Sequence, residues 1–303
     1  MTITTLLFAW SGGIRWVSAS SHNVAAQILG YYPATLCPEQ LQHGFFAVSN
    51  FLLLLLKKRF IITVIMNETI SRIISSSVAE LGITLPLNTE VALSAYYEFL
   101  HERNKVVNLT AITAPEDVAR LHFIDSISLL GAISLDNERV IDVGSGAGFP
   151  GVVLKLVRPE IDLTLLDATG KKVTFLSDLT KHLGVESECI HCRAEEFSRE
   201  KTRREAYDIV VSRAVAELRV LCELCLPFAK VGGLMVALKS VNSGDEITGA
   251  NTAMTKLGAK LERVYDYKIP GTEITHRAVL IRKVSKTPNE YPRRYARIQN
   301  FPL

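Results

Sequence analysis

Between residue 66 and about residue 135 the apolar residues recur every three to four positions, a spacing that predicts amphipathic helices. Three helices are expected, and the first ends before Gly82. Their apolar positions are Ile70, Ile73, Ile74, Val78 and Leu81, then Val91, Leu93, Tyr96, Tyr97 and Leu100, then Val118, Leu121, Ile124, Ile127 and Leu130. Because each helix has one apolar face, the three should form a layer that packs against another part of the chain.

From Glu138 onwards the pattern changes to short apolar runs that alternate with helical segments. This alternation is typical of an α/β fold with a parallel sheet covered on both faces. About seven strands are predicted, at Arg139 to Val143, Asp162 to Leu166, Glu188 to His191, Asp208 to Ser212, Leu234 to Leu238, Leu261 to Tyr267 and Ala278 to Ile281. The helices between them are expected near Val152 and at 171–183, 217–228 and 246–257.

A glycine-rich loop follows the first of these strands. Gly144, Gly146 and Gly148 alternate with other residues, and Phe149-Pro150-Gly151 then opens a helical pattern. Glycine adopts backbone angles that a Cβ forbids and lets a ligand lie against bare backbone. The stretch is therefore interpreted as a buried strand that turns tightly into a helix and holds a cofactor, with Gly144 and Gly146 among the contacts.

The glycines alone do not identify the cofactor. The spacing of Gly146, Gly148 and Gly151 also fits the dinucleotide fingerprint of NAD enzymes. Asp167 ends the second strand roughly twenty residues after the middle of the loop, where a carboxylate can accept hydrogen bonds from a ribose of either cofactor. The register Asp-x-Gly-x-Gly-x-Gly that begins at Asp142 resembles class I methyltransferases, which bind S-adenosylmethionine.

Composition and charge divide the chain into four parts: a hydrophobic extension (1–65), the helical layer (66–135), the α/β domain (136–285) and a basic tail (286–303). The 303 residues are 48% hydrophobic, which is ample for a core. Residues 1–65 hold four of the 34 basic and one of the 31 acidic residues, which leaves 30 of each for the rest. Contact with nucleic acid must therefore depend on a local patch.

Residues 1–65 have three competing interpretations. The uninterrupted apolar run near 45–56 is shorter than the roughly twenty residues of a membrane span. A targeting presequence would explain the scarcity of acids, but the standard order of charged start, apolar run and cleavage site is missing. We favour an upstream extension without a conserved role, with Met66 as a plausible functional start.

The basic tail also has two interpretations. Arg282, Lys283, Lys286, Arg293, Arg294 and Arg297 stand against one acid, Glu290, and aromatic residues lie between them. Basic side chains can offset phosphate charge and aromatic rings can stack on bases, which would suit RNA. A solvated terminal segment explains the composition equally well.

Several stretches taken together resemble one family, the bacterial 16S ribosomal RNA guanine-N7 methyltransferases, also known as glucose-inhibited division protein B. The resemblance covers about residues 67–303. It rests on Asn104 to Thr113, His122 to Ser126, the glycine loop, Leu165 to Asp167 with Lys171-Lys172, Arg193 to Glu196, Ser212 to Ala214, and Tyr291 to Arg294 with Pro302-Leu303.

This resemblance implies a class I methyltransferase fold and transfer of a methyl group from S-adenosylmethionine to N7 of a guanine in 16S ribosomal RNA. By similarity, the cofactor contacts fall on Gly144, Phe149, Ala194, Glu195 and Arg213. The expected partner is the RNA within the small ribosomal subunit. We further expect a monomer in the cytoplasm, without a bound metal and without membrane contact. A noncatalytic RNA-binding protein and an NAD-dependent oxidoreductase are the alternatives.

Two residues are predicted to act on the substrate. Arg213 can hold a cofactor carboxylate or an RNA phosphate. Lys239 follows a strand at the edge of the sheet where substrates bind in this fold, and it is interpreted as a phosphate or guanine contact rather than a solvated lysine. Because N7 of guanine already has a lone pair, no general base is required.

Three questions stay open from the sequence. Either His276 or Arg277 can supply a basic group before the last strand. His122 and Asp125, one helical turn apart, could cover the cofactor cleft or form a hydrogen-bonded pair between layers. The cysteine pairs 189/192 and 222/225 are about thirty residues apart, longer than usual for zinc, so a metal site is not expected.

Overall fold

The computed structural model describes residues 5–10, 13–18, 66–213 and 215–303. The chain forms two compact units, Met1–Ile62 and Thr63–Leu303. In the first unit, strands β1 (Thr5–Trp10) and β2 (Gly13–Ser18) pair antiparallel. The apolar run near 45–56 lies outside the described residues. Among the residues that are described, no helix has both the length and the apolar character needed to cross a bilayer.

The helical layer begins the second unit. Residues 66–81 form α1, and α2 is Thr89–Val107. A continuous helical segment, α3, comprises Pro115–Val118, a π-helical stretch Ala119–Ile124, Asp125–Ser128 and a 3₁₀ turn Leu129–Gly131. Four of the five predicted apolar positions of α1 are buried, with Ile70 and Ile74 fully enclosed, and Leu81 is partly buried.

Seven strands form the sheet of this unit, as predicted for a class I methyltransferase fold. They are β3 (Arg139–Val143), β4 (Asp162–Asp167), β5 (Glu188–His191), β6 (Tyr207–Arg213), β7 (Ala229–Ser240), β8 (Ala259–Lys268) and β9 (Thr275–Lys283). Their order across the sheet is β5-β4-β3-β6-β7-β9-β8. The predicted bounds of β3 and β5 match the observed ones, and the other strands are longer than predicted.

One strand of the predicted parallel-type sheet, β9, has the opposite direction to its neighbours. This strand runs antiparallel to both β7 and β8, while β3 to β7 pair in parallel. The reason is the short connection between β8 and β9, in which Ile269 N donates to Ile274 O at 2.9 Å. A connection of this length makes a hairpin, whereas a parallel crossover needs a dozen or more residues.

Helices cover both faces of the sheet. They are α4 (Gly151–Val157), α5 (Gly170–Leu183), α6 (Ala194–Phe197), α7 (Leu218–Cys225), α8 (Gly244–Gly249), α9 (Asn251–Lys256) and α10 (Tyr295–Asn300). The predicted helix 246–257 is therefore two short helices. One buried cluster joins the helical layer, α4 and α5 to one face of the sheet, and a second joins α7, α9 and the tail residue Ile298 to the other.

Candidate active site

The site lies at the carboxyl end of β3, where the order of the sheet reverses. From β3 the chain continues to β4 on one side and, after β5, returns to β6 on the other. In open α/β sheets, ligands bind in the crevice at such a switch point. The carboxyl ends of β3, β4, β5 and β6 lie at this edge: the glycine loop follows β3, Asp167 ends β4, Ala194 and Glu195 follow β5, and Arg213 ends β6.

The glycine loop needs glycine for its backbone. Gly144, Gly146 and Gly148 have φ values of +76°, +59° and +94°, which L side chains rarely adopt. A Cβ on Gly144 would clash with the Cγ2 of Val215, which lies across the loop. The loop therefore presents open backbone at Gly146, where a Cβ would meet only Gly144 O at 3.8 Å, and Val215 covers Gly144.

Two carboxylates and one phenol hold the loop in place. Asp167 Oδ2 accepts from Gly146 N at 3.0 Å, and its Oδ1 accepts from Thr169 N at 2.8 Å. Asp142 Oδ2 accepts from Gly151 N at 2.9 Å, and burial raises the pKa of Asp142 to about 7 although this hydrogen bond lowers it. The hydroxyl of Tyr96, fully buried on α2, donates to Ala147 O. The helical layer thus contacts the cofactor loop directly.

Phe149 lies inside a stack of rings. Its ring is parallel to Tyr96 at a centroid distance of 5.1 Å and faces His122 at 4.5 Å. The guanidinium of Arg213 lies 5.0 Å from the same ring centroid. Phe149 is only 4% exposed, so its ring does not present an open face to a ligand.

Arg213 is tied to the helical layer. Its Nη1 donates to Leu121 O at 3.1 Å and to Asp125 Oδ2 at 3.2 Å, and its Nη2 lies 3.2 Å from His122 Nδ1. The same Nδ1 lies 3.0 Å from Leu121 O, and because it can either donate to this carbonyl or accept from Arg213, the tautomer of His122 decides which bond forms. Consistent with a neutral ring, burial and the charge of Arg213 lower the pKa of His122 to about 4.

Asp125 is the centre of a buried network. It is 1% exposed and its Oδ1 accepts from Tyr267 OH and from His276 Nδ1, each at 2.7 Å. Burial alone would raise the pKa of Asp125, but the bond from His276 and the charge of Arg213 lower it. The bond to Asp125 in turn raises the pKa of His276. The network places a positive charge at Arg213 and a balancing negative charge at Asp125.

The structure shows the contacts of the residues in two of the questions left by the sequence. His276, and not Arg277, joins the group around Arg213; Arg277 instead forms a bidentate pair with Asp266, at 2.6 and 2.7 Å, that leaves much of Asp266 exposed. His122 and Asp125 do not bond to each other. Both contact Arg213, so they link the layer to the sheet.

Ala194 and Glu195 begin the one-turn helix α6. Glu195 is buried, and its Oε1 accepts from Arg193 Nε at 2.5 Å. The guanidinium of Arg193 lies 4.1 Å from the ring centroid of Tyr295, a residue of the tail. The predicted adenine-reading turn therefore has a contact with the C-terminal tail.

Lys239 lies apart from the other predicted residues. Its Nζ donates to Ala216 O at 2.6 Å and pairs with Glu246. Arg213 pairs with Leu238 in the sheet, so Lys239, one residue later, points to the opposite face. The two residues predicted to act on the substrate are thus on different faces of the sheet end.

Sequence reasoning missed Tyr96 and Tyr267. In the sequence Tyr96 is one of several apolar positions of a helix, and Tyr267 is part of a strand; neither has a local pattern that marks a site. Their roles depend on contacts with residues 51 and 142 positions away, respectively. Among the described residues, no group of three or more His, Cys, Asp or Glu side chains could hold a metal ion.

The comparison with known proteins agrees with this geometry. The family described as rRNA small subunit methyltransferase G (GidB) matches residues 89–275, more than half of the chain. Proteins named ribosomal RNA small subunit methyltransferase G from Alkaliphilus metalliredigens, Desulforamulus reducens and Pelotomaculum thermopropionicum are 43%, 42% and 42% identical to it. These matches cover 73%, 71% and 78% of this chain and 94%, 90% and 100% of the relatives. The chain therefore belongs to the rRNA small subunit methyltransferase G family.

Proposed function

We propose that this protein transfers the methyl group of S-adenosylmethionine to N7 of a guanine in 16S ribosomal RNA. The observation that carries the proposal is the glycine loop with positive φ at the switch point of the sheet, open at Gly146, in a chain that belongs to the methyltransferase G family. Family membership favours a methyl donor over the dinucleotide that the glycine spacing also allows.

The residues present fit S-adenosylmethionine. The backbone at Gly146 is open, since a Cβ there would meet only Gly144 O at 3.8 Å, whereas the side chain of Val215 lies against Gly144. We assign the amino acid end of the cofactor to this loop, the ribose to Asp167 and the adenine to Ala194 and Glu195. When bound, the cofactor supplies a methyl group on a positively charged sulfur.

The protein's contribution to the chemistry is alignment and charge balance. Since N7 of guanine has a free lone pair, no side chain has to remove a proton before attack. The reacting atoms need to be held in line, and the site must tolerate positive charge that moves from sulfur to the base. Asp125 provides this tolerance because it neutralises Arg213, which lies over Phe149 beside the loop.

Arg213 is assigned to the cofactor carboxylate or to an RNA phosphate. Its guanidinium is 18% exposed, so part of it is accessible while the rest bonds to α3. Lys239 is assigned to the RNA side of the site. Because its ammonium holds Ala216 O and Glu246, an RNA phosphate would compete with Glu246 for it.

The RNA partner is proposed to be bound as part of the small ribosomal subunit by a monomer that needs no metal. Local charge supports RNA contact beside the cleft. Lys171 is exposed at the start of α5, and the neighbouring Lys172 lies 3.9 Å from Asp167. Such cations can offset phosphate charge next to the cofactor.

Two measurements test the function. Transfer of a radiolabelled methyl group to purified small subunits that lack the modification is expected, with the label at N7 of guanine after digestion. In thermal shift experiments, S-adenosylhomocysteine should raise the melting temperature and NADH should not. Stabilisation by NADH alone would replace the proposal by an oxidoreductase, and binding of subunits without any transfer of label would leave only an RNA-binding protein.

A further inference from the structure

The C-terminal tail is held by arginines of the segment between α6 and β6. Arg204 donates to Tyr291 O and Thr287 O, both at 2.9 Å, and Arg199 donates to Pro292 O at 2.5 Å. The backbone carbonyl groups of the tail are thus the acceptors. A tail available for RNA would not need its main chain fixed in this way.

Arg293, one of the basic residues of the tail, points inward. It forms a bidentate pair with Glu223, a fully buried residue of α7, at 2.6 Å for Nη2 to Oε2 and 2.9 Å for Nε to Oε1. Its backbone N also donates to Glu223 Oε1 at 2.8 Å. Two residues later, Tyr295 begins α10, which Ile298 anchors in the core.

Tyr295 brings this rigid tail to the cofactor site. Its ring lies 4.1 Å from the guanidinium carbon of Arg193, and Arg193 Nε donates to the buried carboxylate of Glu195. The helix α6 has only four residues, so it cannot fix the direction of Glu195 through its own hydrogen bonds. The stack of Tyr295 on Arg193 supplies the missing constraint.

We infer that Tyr295 is a positioning residue for the adenosine half of the cofactor: it fixes Arg193, and Arg193 fixes Glu195. The inference rests on the proposed function, because it needs the cofactor to bind at Ala194 and Glu195. The inference differs from both interpretations that composition gave for this part of the tail, which were RNA contact and a solvated terminal segment. The ring of Tyr295 is used inside the protein and not for stacking on a base.

The test compares Tyr295→Leu with two controls in the full chain. Tyr295→Phe keeps the ring, and Phe301→Leu removes an aromatic ring that is 71% exposed at the end of the same tail. Binding of S-adenosylhomocysteine and of methylthioadenosine, which has the adenosine half but no amino acid, is measured by calorimetry. Binding of transcribed small-subunit ribosomal RNA is measured by filter retention.

Tyr295→Leu is expected to bind both adenosine ligands about 3- to 30-fold more weakly, as the loss of a cation–π contact predicts. Its RNA affinity should stay within about twofold, a change too small to count as a lost contact, and both controls should match the wild type.

Three results for Tyr295→Leu would overturn the inference: an unchanged affinity for the adenosine ligands, a loss of affinity for RNA alone, or a loss of affinity for S-adenosylhomocysteine alone. An equal loss in Tyr295→Phe would also do so. A wild-type chain that binds neither adenosine ligand would instead refute the proposed function.

Discussion

Two buried carboxylates, Asp125 in the helical layer and Glu223 under the tail, illustrate two uses of the same residue chemistry. Both are almost completely enclosed, at 1% and 0% exposure, and each is paired with an arginine. Among the described residues, Glu223 receives its hydrogen bonds from one residue, Arg293. Asp125 shares its oxygens among Arg213, Tyr267 and His276.

This difference in partners predicts a difference in role. A carboxylate that is saturated by one arginine, which stays protonated at every ordinary pH, forms a fixed clamp. A carboxylate that bonds to a histidine and to the arginine beside the cofactor loop can alter the site when any partner changes. We therefore expect loss of Glu223 to reduce mainly stability, and loss of Asp125 to reduce mainly turnover.

The largest effect is expected for Glu223→Ala. Removing one partner of a buried ion pair leaves the other charge without compensation, which costs about 3–5 kcal/mol of unfolding free energy. Urea denaturation of the second unit measures this directly. The double variant Glu223→Leu/Arg293→Leu is the control, since removing both charges should recover much of the loss. A single variant as stable as the wild type would show that the tail is not clamped by this pair.

Asp125→Asn should have a smaller effect on stability and a larger one on catalysis. Hydrogen bonds to a charged group contribute about 1.5–3 kcal/mol, which corresponds to a roughly 10- to 150-fold loss in methyl transfer if Arg213 is displaced. The measurement is the turnover on small subunits at a temperature well below unfolding. Glu223→Gln is the matched control, and equal turnover in both variants would remove the distinction between the two carboxylates.

Much of the fold could be predicted because its signals are local. The alternation of apolar residues located β3 and β5 to the residue, and the glycine spacing located the cofactor loop. The Asp125 network could not be predicted, since Asp125 and His276 are 151 positions apart and meet only after the sheet has formed.

The charge pairing of the C-terminal tail could not be predicted from the sequence either. Composition counts Arg293 as one more basic residue available to a phosphate. Its partner Glu223 is 70 positions away on a helix whose other residues, apart from Arg219, are apolar. Which charges are neutralised inside a protein is a property of tertiary packing, so a basic segment cannot be assigned to RNA by its sequence alone.

In a third ion pair, Lys239 with Glu246, the carboxylate side chain is more exposed than in the other two, at 23% against 2% and 0%. Lys239→Ala should leave binding of S-adenosylhomocysteine unchanged and slow methyl transfer several-fold, about the effect of one partly exposed charge contact. Single-turnover kinetics on small subunits separate an effect on methyl transfer from an effect on cofactor binding. Equal rates would show that Lys239 only holds Ala216 and takes no part with RNA.

The smallest effect, and the one that most directly separates the two carboxylates, is the pH dependence of His276→Gln. The bond to Asp125 raises the pKa of His276 above its ordinary value, so the folded state binds the proton more tightly than the unfolded state. The stabilisation is therefore complete below the ordinary pKa of about 6.5 and is lost as the pH rises through the raised value.

His276→Gln should destabilise the protein, and lower its melting temperature, more at pH 6 than at pH 9. The loss of unfolding free energy should differ between the two pH values by less than about 1 kcal/mol, as for a partly exposed pair. Glu223→Gln should lose the same unfolding free energy at both pH values. In the wild type the bond from Arg293 to Glu223 raises the pKa of Arg293, so that this arginine is protonated at both pH values. If the loss in His276→Gln were also independent of pH, the histidine would act by packing alone, and Asp125 would be a fixed clamp of the same kind as Glu223.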